Sequence, residues 1–114
     1  GNEKSKRKVS FFKMSYKIIW QLNSEITYLA EIEYIYFKWN QKEAEKFQEL
    51  VIENLNRLSI NPLLGKYDSN LKIYIFVISK QTTLYYSINQ NAKIVDLHLF
   101  WNNQKNPDEL KKLL

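Results

Sequence analysis

The sequence predicts an α+β domain: a strand, an antiparallel helical hairpin, a three-stranded antiparallel meander and a short C-terminal helix. Three observations predict it. Ala44, Phe47, Val51, Leu55 and Leu58 recur at helical spacing. Residues 71–79, 82–88 and 93–101 are instead rich in alternating β-branched and aromatic side chains. Between the two regimes, Asn61-Pro62 stops a helix, and Gly65, one of only two glycines, turns the chain.

The elements follow in order. Residues 15–21 (Ser-Tyr-Lys-Ile-Ile-Trp-Gln) read as the first strand. Asn23 or Ser24 is placed to cap a first helix, with Glu25 adding favourable charge in its first turn. That helix runs to about Trp39, with Ile26, Leu29, Ile32 or Glu33, Tyr36 and Trp39 as its expected inner face. Asn40 breaks it. A second helix starts near Gln41 or Lys42 and ends at Ser59 or Ile60, because Pro62 pushes Asn61 out of the helical region. So short a connection makes the helices antiparallel. Gly65 permits a positive φ in the loop that follows.

In the second strand, Ile73, Ile75 and Val77 oppose Lys72, Tyr74, Phe76 and Ile78. In the third, Leu84, Tyr86 and Ile88 oppose Thr83, Tyr85 and Ser87. Asn89-Gln90-Asn91 is a hairpin turn, and in the last strand Val95, Leu97, Leu99 and Trp101 oppose Ile94, Asp96, His98 and Phe100. Asn106 caps the terminal helix, with Pro107 at its first position and Asp108 and Glu109 in its first turn. One sheet face packs on the hairpin. The other mixes Tyr and Phe with Lys72, Asp96 and His98, and is either a second small core or a partner-binding face.

The chain has 114 residues, the size of one domain, placed here at residues 15–114. It has no cysteine, which excludes a disulfide framework and fits a reducing, cytoplasmic compartment. No apolar run is long enough to span a bilayer, and none follows the basic start as a secretory signal requires. Net charge is +5, yet five of the seventeen basic residues and one of the twelve acids lie in the first thirteen positions, so the rest is near +1. Residues 1–14 therefore read as a flexible basic extension or an appended remnant, and the charge of the body does not of itself demand nucleic acid.

His98 is the only histidine, with Asp96 two residues before it; an imidazole oriented by a carboxylate is a candidate acid or base. Lys72 is a candidate contact for phosphate or for an acidic partner. Tyr74, Tyr85 and Tyr86 can stack on bases or donate protons. Lys66, Lys80, Lys93 and Lys105 are candidates for a basic rim. Each has a structural alternative: a satisfied strand histidine, a solvated lysine, a packed aromatic. No Gly-rich phosphate loop, nucleophile elbow or metal-ligand cluster is present, so no cofactor or metal is expected.

Residues 16–20 (Tyr-Lys-Ile-Ile-Trp), the helix centred on Glu31-Ile32-Glu33-Tyr34-Ile35, Ala44-Glu45-Lys46-Phe47, the helix exit from Leu55 to Lys66, residues 84–88 (Leu-Tyr-Tyr-Ser-Ile) and residues 100–107 (Phe-Trp-Asn-Asn-Gln-Lys-Asn-Pro) occur in a telling order. As a set, covering roughly residues 15–110, they resemble the RelE/ParE superfamily of toxins from type II toxin–antitoxin modules, the plasmid-stabilisation proteins of bacteria. The resemblance implies a toxin neutralised by a cognate antitoxin. RelE-like members cleave mRNA on the ribosome; ParE-like members inhibit DNA gyrase. Where relatives often carry Arg in the last strand and the closing motif, this chain has Leu99 and Gln104, and Lys72 stands where an Arg commonly opens the second strand. Metal-free phosphodiester cleavage needs a base, cations for the phosphate and an acid. The missing arginines favour a ParE-like member. A RelE-like interferase using Lys72, His98 and Tyr85 is the alternative, and an inactive interaction module the third. Tyr74, Phe76, Gln104 and Lys105 are the expected partner-binding residues, with self-association expected when the antitoxin is absent.

Overall fold

The computed structural model describes residues 15–114; the basic extension lies outside the described residues. The chain runs β1 (Lys17–Trp20), α1 (Leu22–Lys38), α2 (Gln41–Ile60), a 3₁₀ turn (Pro62–Leu64), β2 (Lys66–Asp68), β3 (Ile73–Val77), β4 (Thr82–Asn89), β5 (Ile94–Asn102) and α3 (Pro107–Leu113). This is the expected α+β order. The meander β3-β4-β5 is antiparallel, and the five strands form one sheet in the order β1-β5-β4-β3-β2. β1 pairs in parallel with β5, Lys17 opposite Ile94 and Trp20 opposite Leu97. β2 was not expected; three residues pair antiparallel with β3 and add an edge.

α2 is the helix its sequence describes. Ala44, Phe47, Val51, Leu55 and Leu58 are all buried. The Asn40 side chain accepts from the Glu43 N–H at 2.9 Å, capping the first turn. Asn61 leaves the helix at φ −132° and ψ 87°, outside the helical region that a following proline disfavours, and its side chain accepts from the Leu63 N–H at 3.2 Å. Gly65 is a correction. Its φ is −73°, so it is not there for a left-handed conformation. It is there for space: a Cβ would lie 2.6 Å from the Tyr86 hydroxyl and 3.1 Å from the Ile75 carbonyl oxygen. The Tyr86 hydroxyl donates to the Pro62 carbonyl at 2.7 Å and accepts from the Gly65 N–H at 2.9 Å, bolting the exit of α2 to the sheet.

α1 departs from its reading in two ways. It starts earlier: Gln21 is the cap without a side-chain bond, and the Ser24 hydroxyl donates back to the Gln21 carbonyl at 2.6 Å instead of capping. Of its expected inner face only Ile32 packs on the core. Ile26, Leu29, Tyr36 and Trp39 are exposed, while Ser24, Glu31 and Ile35 are buried, with Tyr28 and Ile32 packing beside them. Two polar contacts tie this face to the sheet, the Ser24 bond staying inside the first turn. The buried Glu31 carboxylate accepts from the Thr82 hydroxyl, and the Thr27 hydroxyl accepts from the Phe100 N–H at 2.9 Å.

The helical side of the sheet carries the main core, including Leu84, Tyr86, Val95, Leu97 and Phe100. The other side carries a small core of Ile73, Tyr85, Leu99 and Trp101, on which Leu110 and Leu114 pack from the α3 segment. Strict alternation in β5 fails at a bulge: Tyr85 pairs with Leu99 and Tyr86 with Leu97, leaving His98 without an opposite residue. Leu97 and Phe100 therefore share the helical side, and Leu99 and Trp101 the other. The expected grouping of Leu97 with Leu99 is overturned for that reason.

Candidate functional site

The bulge opens a cleft. On the face away from the hairpin, Ser87, His98, Lys72 and Ile73 line an open cavity of about 600 Å³ with Gln21, Leu22 and Asn23 from the start of α1 and Leu113 and Leu114. His98 comes from the extra residue of β5, and Ser87 from the neighbouring strand, where it pairs with Asp96. The Ser87 Oγ and His98 Nε2 are 2.7 Å apart. Which of the two donates depends on which ring nitrogen carries the proton. Asp96 accepts from the Gln21 side-chain amide at 2.9 Å, tying the end of β1 to β5.

Burial holds the His98 imidazole below its ordinary range, and the nearby Asp96 charge offsets only part of that. At neutral pH the ring is uncharged and able to accept a proton.

Lys72 reaches the cleft from a turn, not from a strand. Asp68 accepts from the Asn70 and Leu71 N–H groups at 2.9 and 3.0 Å, winding the chain so that Lys72 takes a left-handed φ of 54° before β3 begins. The expectation that Lys72 alternates with Tyr74 inside a strand is corrected accordingly. Lys72 and His98 thus meet in one cleft.

Tyr85 does not join them. Its ring is buried in the small core with Ile73 and Leu99, and burial together with the Asp68 charge pushes its hydroxyl up from the ordinary value.

The expected partner-binding residues divide into two places. Tyr74 and Phe76 lie on the helical side of the sheet, half-buried against the main core. The Tyr74 ring stacks on Tyr86 at 5.3 Å, so these residues are packing, not an outward aromatic face. Gln104 and Lys105 line a separate hollow of about 220 Å³ beside α1, with Thr27, Glu31, Tyr34 and Phe100. There the Tyr34 hydroxyl donates to the Gln104 side chain at 2.9 Å, and the Lys105 ammonium sits 5.9 Å from the centre of the Trp101 ring.

Two features escaped the sequence reading. Ser87 is the cleft's hydrogen-bond partner for His98, and only the bulge brings them together. The outer face of α1 is the largest exposed apolar feature of a single element. Its periodicity is plain in the sequence, but the same spacing describes a core face equally well.

Among the described residues no group of three His, Cys, Asp or Glu side chains is arranged to hold a metal ion, and no helix is long and apolar enough to cross a membrane. No protein-family model matches the chain, and no curated protein matches it.

Proposed function

We propose that the chain is the toxin of a type II toxin–antitoxin module, a ParE-like member that binds a target such as DNA gyrase in the bacterial cytoplasm and is neutralised by a cognate antitoxin. The observation that carries this reading is the charge of the cleft within this order of elements. Among the described residues the cleft is lined by one lysine and one imidazole biased toward neutrality, and by no arginine. The one arginine among the described residues, Arg57, donates to the Asn54 side chain at 3.0 Å on α2. A dianionic transition state spread over phosphate oxygens needs more positive charge than that. Binding a protein does not.

Expression in a bacterial host, with and without the adjacent gene, tests the proposal. Growth arrest relieved by the neighbour, with DNA breaks and intact mRNA, is the expected result. Normal growth in both cases removes the toxin reading for that host.

The meeting of Lys72 and His98 favours a second reading, an mRNA interferase. In it, neutral His98 takes the proton of the 2′-hydroxyl as that oxygen bonds to phosphorus, the bond from phosphorus to the 5′-oxygen breaks, the departing oxygen takes its proton from water, and Lys72 faces the phosphate. Arrest with codon-biased mRNA cuts selects it. Cleavage that survives both His98→Ala and Lys72→Ala removes these residues from the chemistry.

A further inference from the structure

α1 packs a mixed side on the core, Ser24 and Glu31 beside Tyr28, Ile32 and Ile35, and leaves a second apolar side outward. Leu22, Ile26, Leu29, Tyr36 and Phe37 are 70, 54, 63, 48 and 74% exposed. Their spacing sets them along one stripe of a regular helix, interrupted only by the exposed Glu33. We propose that this stripe is a two-fold interface with a second copy of the chain.

Three arguments select a second copy. The first is area. The five residues expose roughly 600 Å² together, the upper end for a patch on a monomer, and pairing two copies buries up to roughly 1,200 Å², the lower edge of the range of specific interfaces. The second is shape. The stripe lies on one 17-residue helix without glycine or proline, and a two-fold contact needs only one such self-complementary patch. The third is charge. Residues 15–114 are near neutral, so two copies repel little. Lys38, the basic residue of the last turn, points away from the stripe, where its ammonium donates to the Tyr34 hydroxyl at 3.1 Å and lies 4.8 Å from the centre of the Trp39 ring, so it adds no repulsion to the contact. Glu33 is then the one charge inside the contact, and it weakens the pair.

The inference does not rest on the toxin reading, since its readout is mass and not growth. Sedimentation of the full chain between about 1 and 100 µM is expected to show a monomer–dimer equilibrium. Leu29→Glu is expected to be monomeric throughout, with unchanged far-UV circular dichroism because the residue is exposed. Glu33→Leu is expected to tighten the dimer roughly tenfold or more. A wild-type chain that stays monomeric at 100 µM overturns the proposal, as does one that binds an amphipathic helix of another protein on this stripe instead. A dimer untouched by Leu29→Glu, or a Glu33→Leu chain no tighter than wild type, also overturns it.

Discussion

α1 and α2 are neighbours in one hairpin, yet they are attached to the sheet by different forces. α2 presents Phe47, Val51, Leu55 and Leu58 inward and is held by burial of apolar area. α1 packs Tyr28, Ile32 and Ile35 inward as well, but sets Thr27 and Glu31 among them and adds directed hydrogen bonds to the sheet, while Leu22, Ile26 and Leu29 face out. A hydrophobic period marks which side of a helix seeks a dry surface. It does not say whether that surface belongs to the same chain.

The contrast is broken most severely at α2. Leu58 is fully buried, and Leu58→Ala is expected to cost about 2–5 kcal/mol in urea unfolding, transfer loss plus cavity. Next comes the bolt at the exit of α2. Burial pushes the Tyr86 hydroxyl up to about 12 from an ordinary 10.0, with the Gly65 N–H pulling it partly back. A folded pKa above the unfolded one means that the protonated form stabilises the fold. That contribution is intact below pH 10 and is lost as pH rises through 12, by roughly 3 kcal/mol. Tyr86→Phe is expected to flatten this alkaline slope in pH-dependent unfolding, while lowering stability at neutral pH through the unpaired Gly65 and Pro62 groups.

At α1 the decisive variant is Glu31→Ala, expected to cost about 1–3 kcal/mol by leaving Thr82 without its acceptor. Glu31→Met combined with Thr82→Val is expected to cost less than the sum of the single changes. Strict additivity would show that the pair does not anchor the helix. The smallest effect belongs to the outer stripe. Ile26→Gln is expected to change unfolding free energy by less than about 0.5 kcal/mol at concentrations where the chain is monomeric. A loss comparable to that of Leu58→Ala would mean that Ile26 is not exposed.

The cleft adds a trend of opposite sign. His98 is held below its ordinary pKa by burial, so its neutral form stabilises the fold. That contribution is present above the ordinary histidine pKa and falls away as pH drops through the lower folded value. His98→Gln is expected to remove this acid-side loss from a pH series of melting curves.

The fold was legible where local chemistry and tertiary structure agree. Asn40, the α2 stripe, Asn61-Pro62 and Asn106 each act as their residue types dictate. It was illegible where one residue changes register. Alternation carried past His98 puts Leu99 on the wrong face, because a bulge depends on what the partner strand does and not on the bulged strand's own sequence. The same bulge hid Ser87. His98 stands out in composition as the single histidine, and Lys72 through the resemblance, where relatives often carry an arginine; both line the one cleft. Tyr85 was misplaced because alternation tells which side of a strand a ring takes, not whether a helix will cover it.

The parallel pairing of β1 with β5 joins residues 17–20 to residues 94–97, the widest separation of any strand pair in the sheet. During synthesis, at roughly 5–20 residues per second, β1 and both helices emerge several seconds before the strand that completes their floor. Until Leu97 and Phe100 arrive, β1 has no strand to pair with and α1 lacks the strand it packs on, and closure must overcome a long loop. The nascent chain is therefore at its most vulnerable just before completion. Ribosome-held chains ending before Ile94 are expected to be cut readily by protease, whereas those with residues 15–114 clear of the exit tunnel resist; equal resistance would show that the hairpin folds without its last strand.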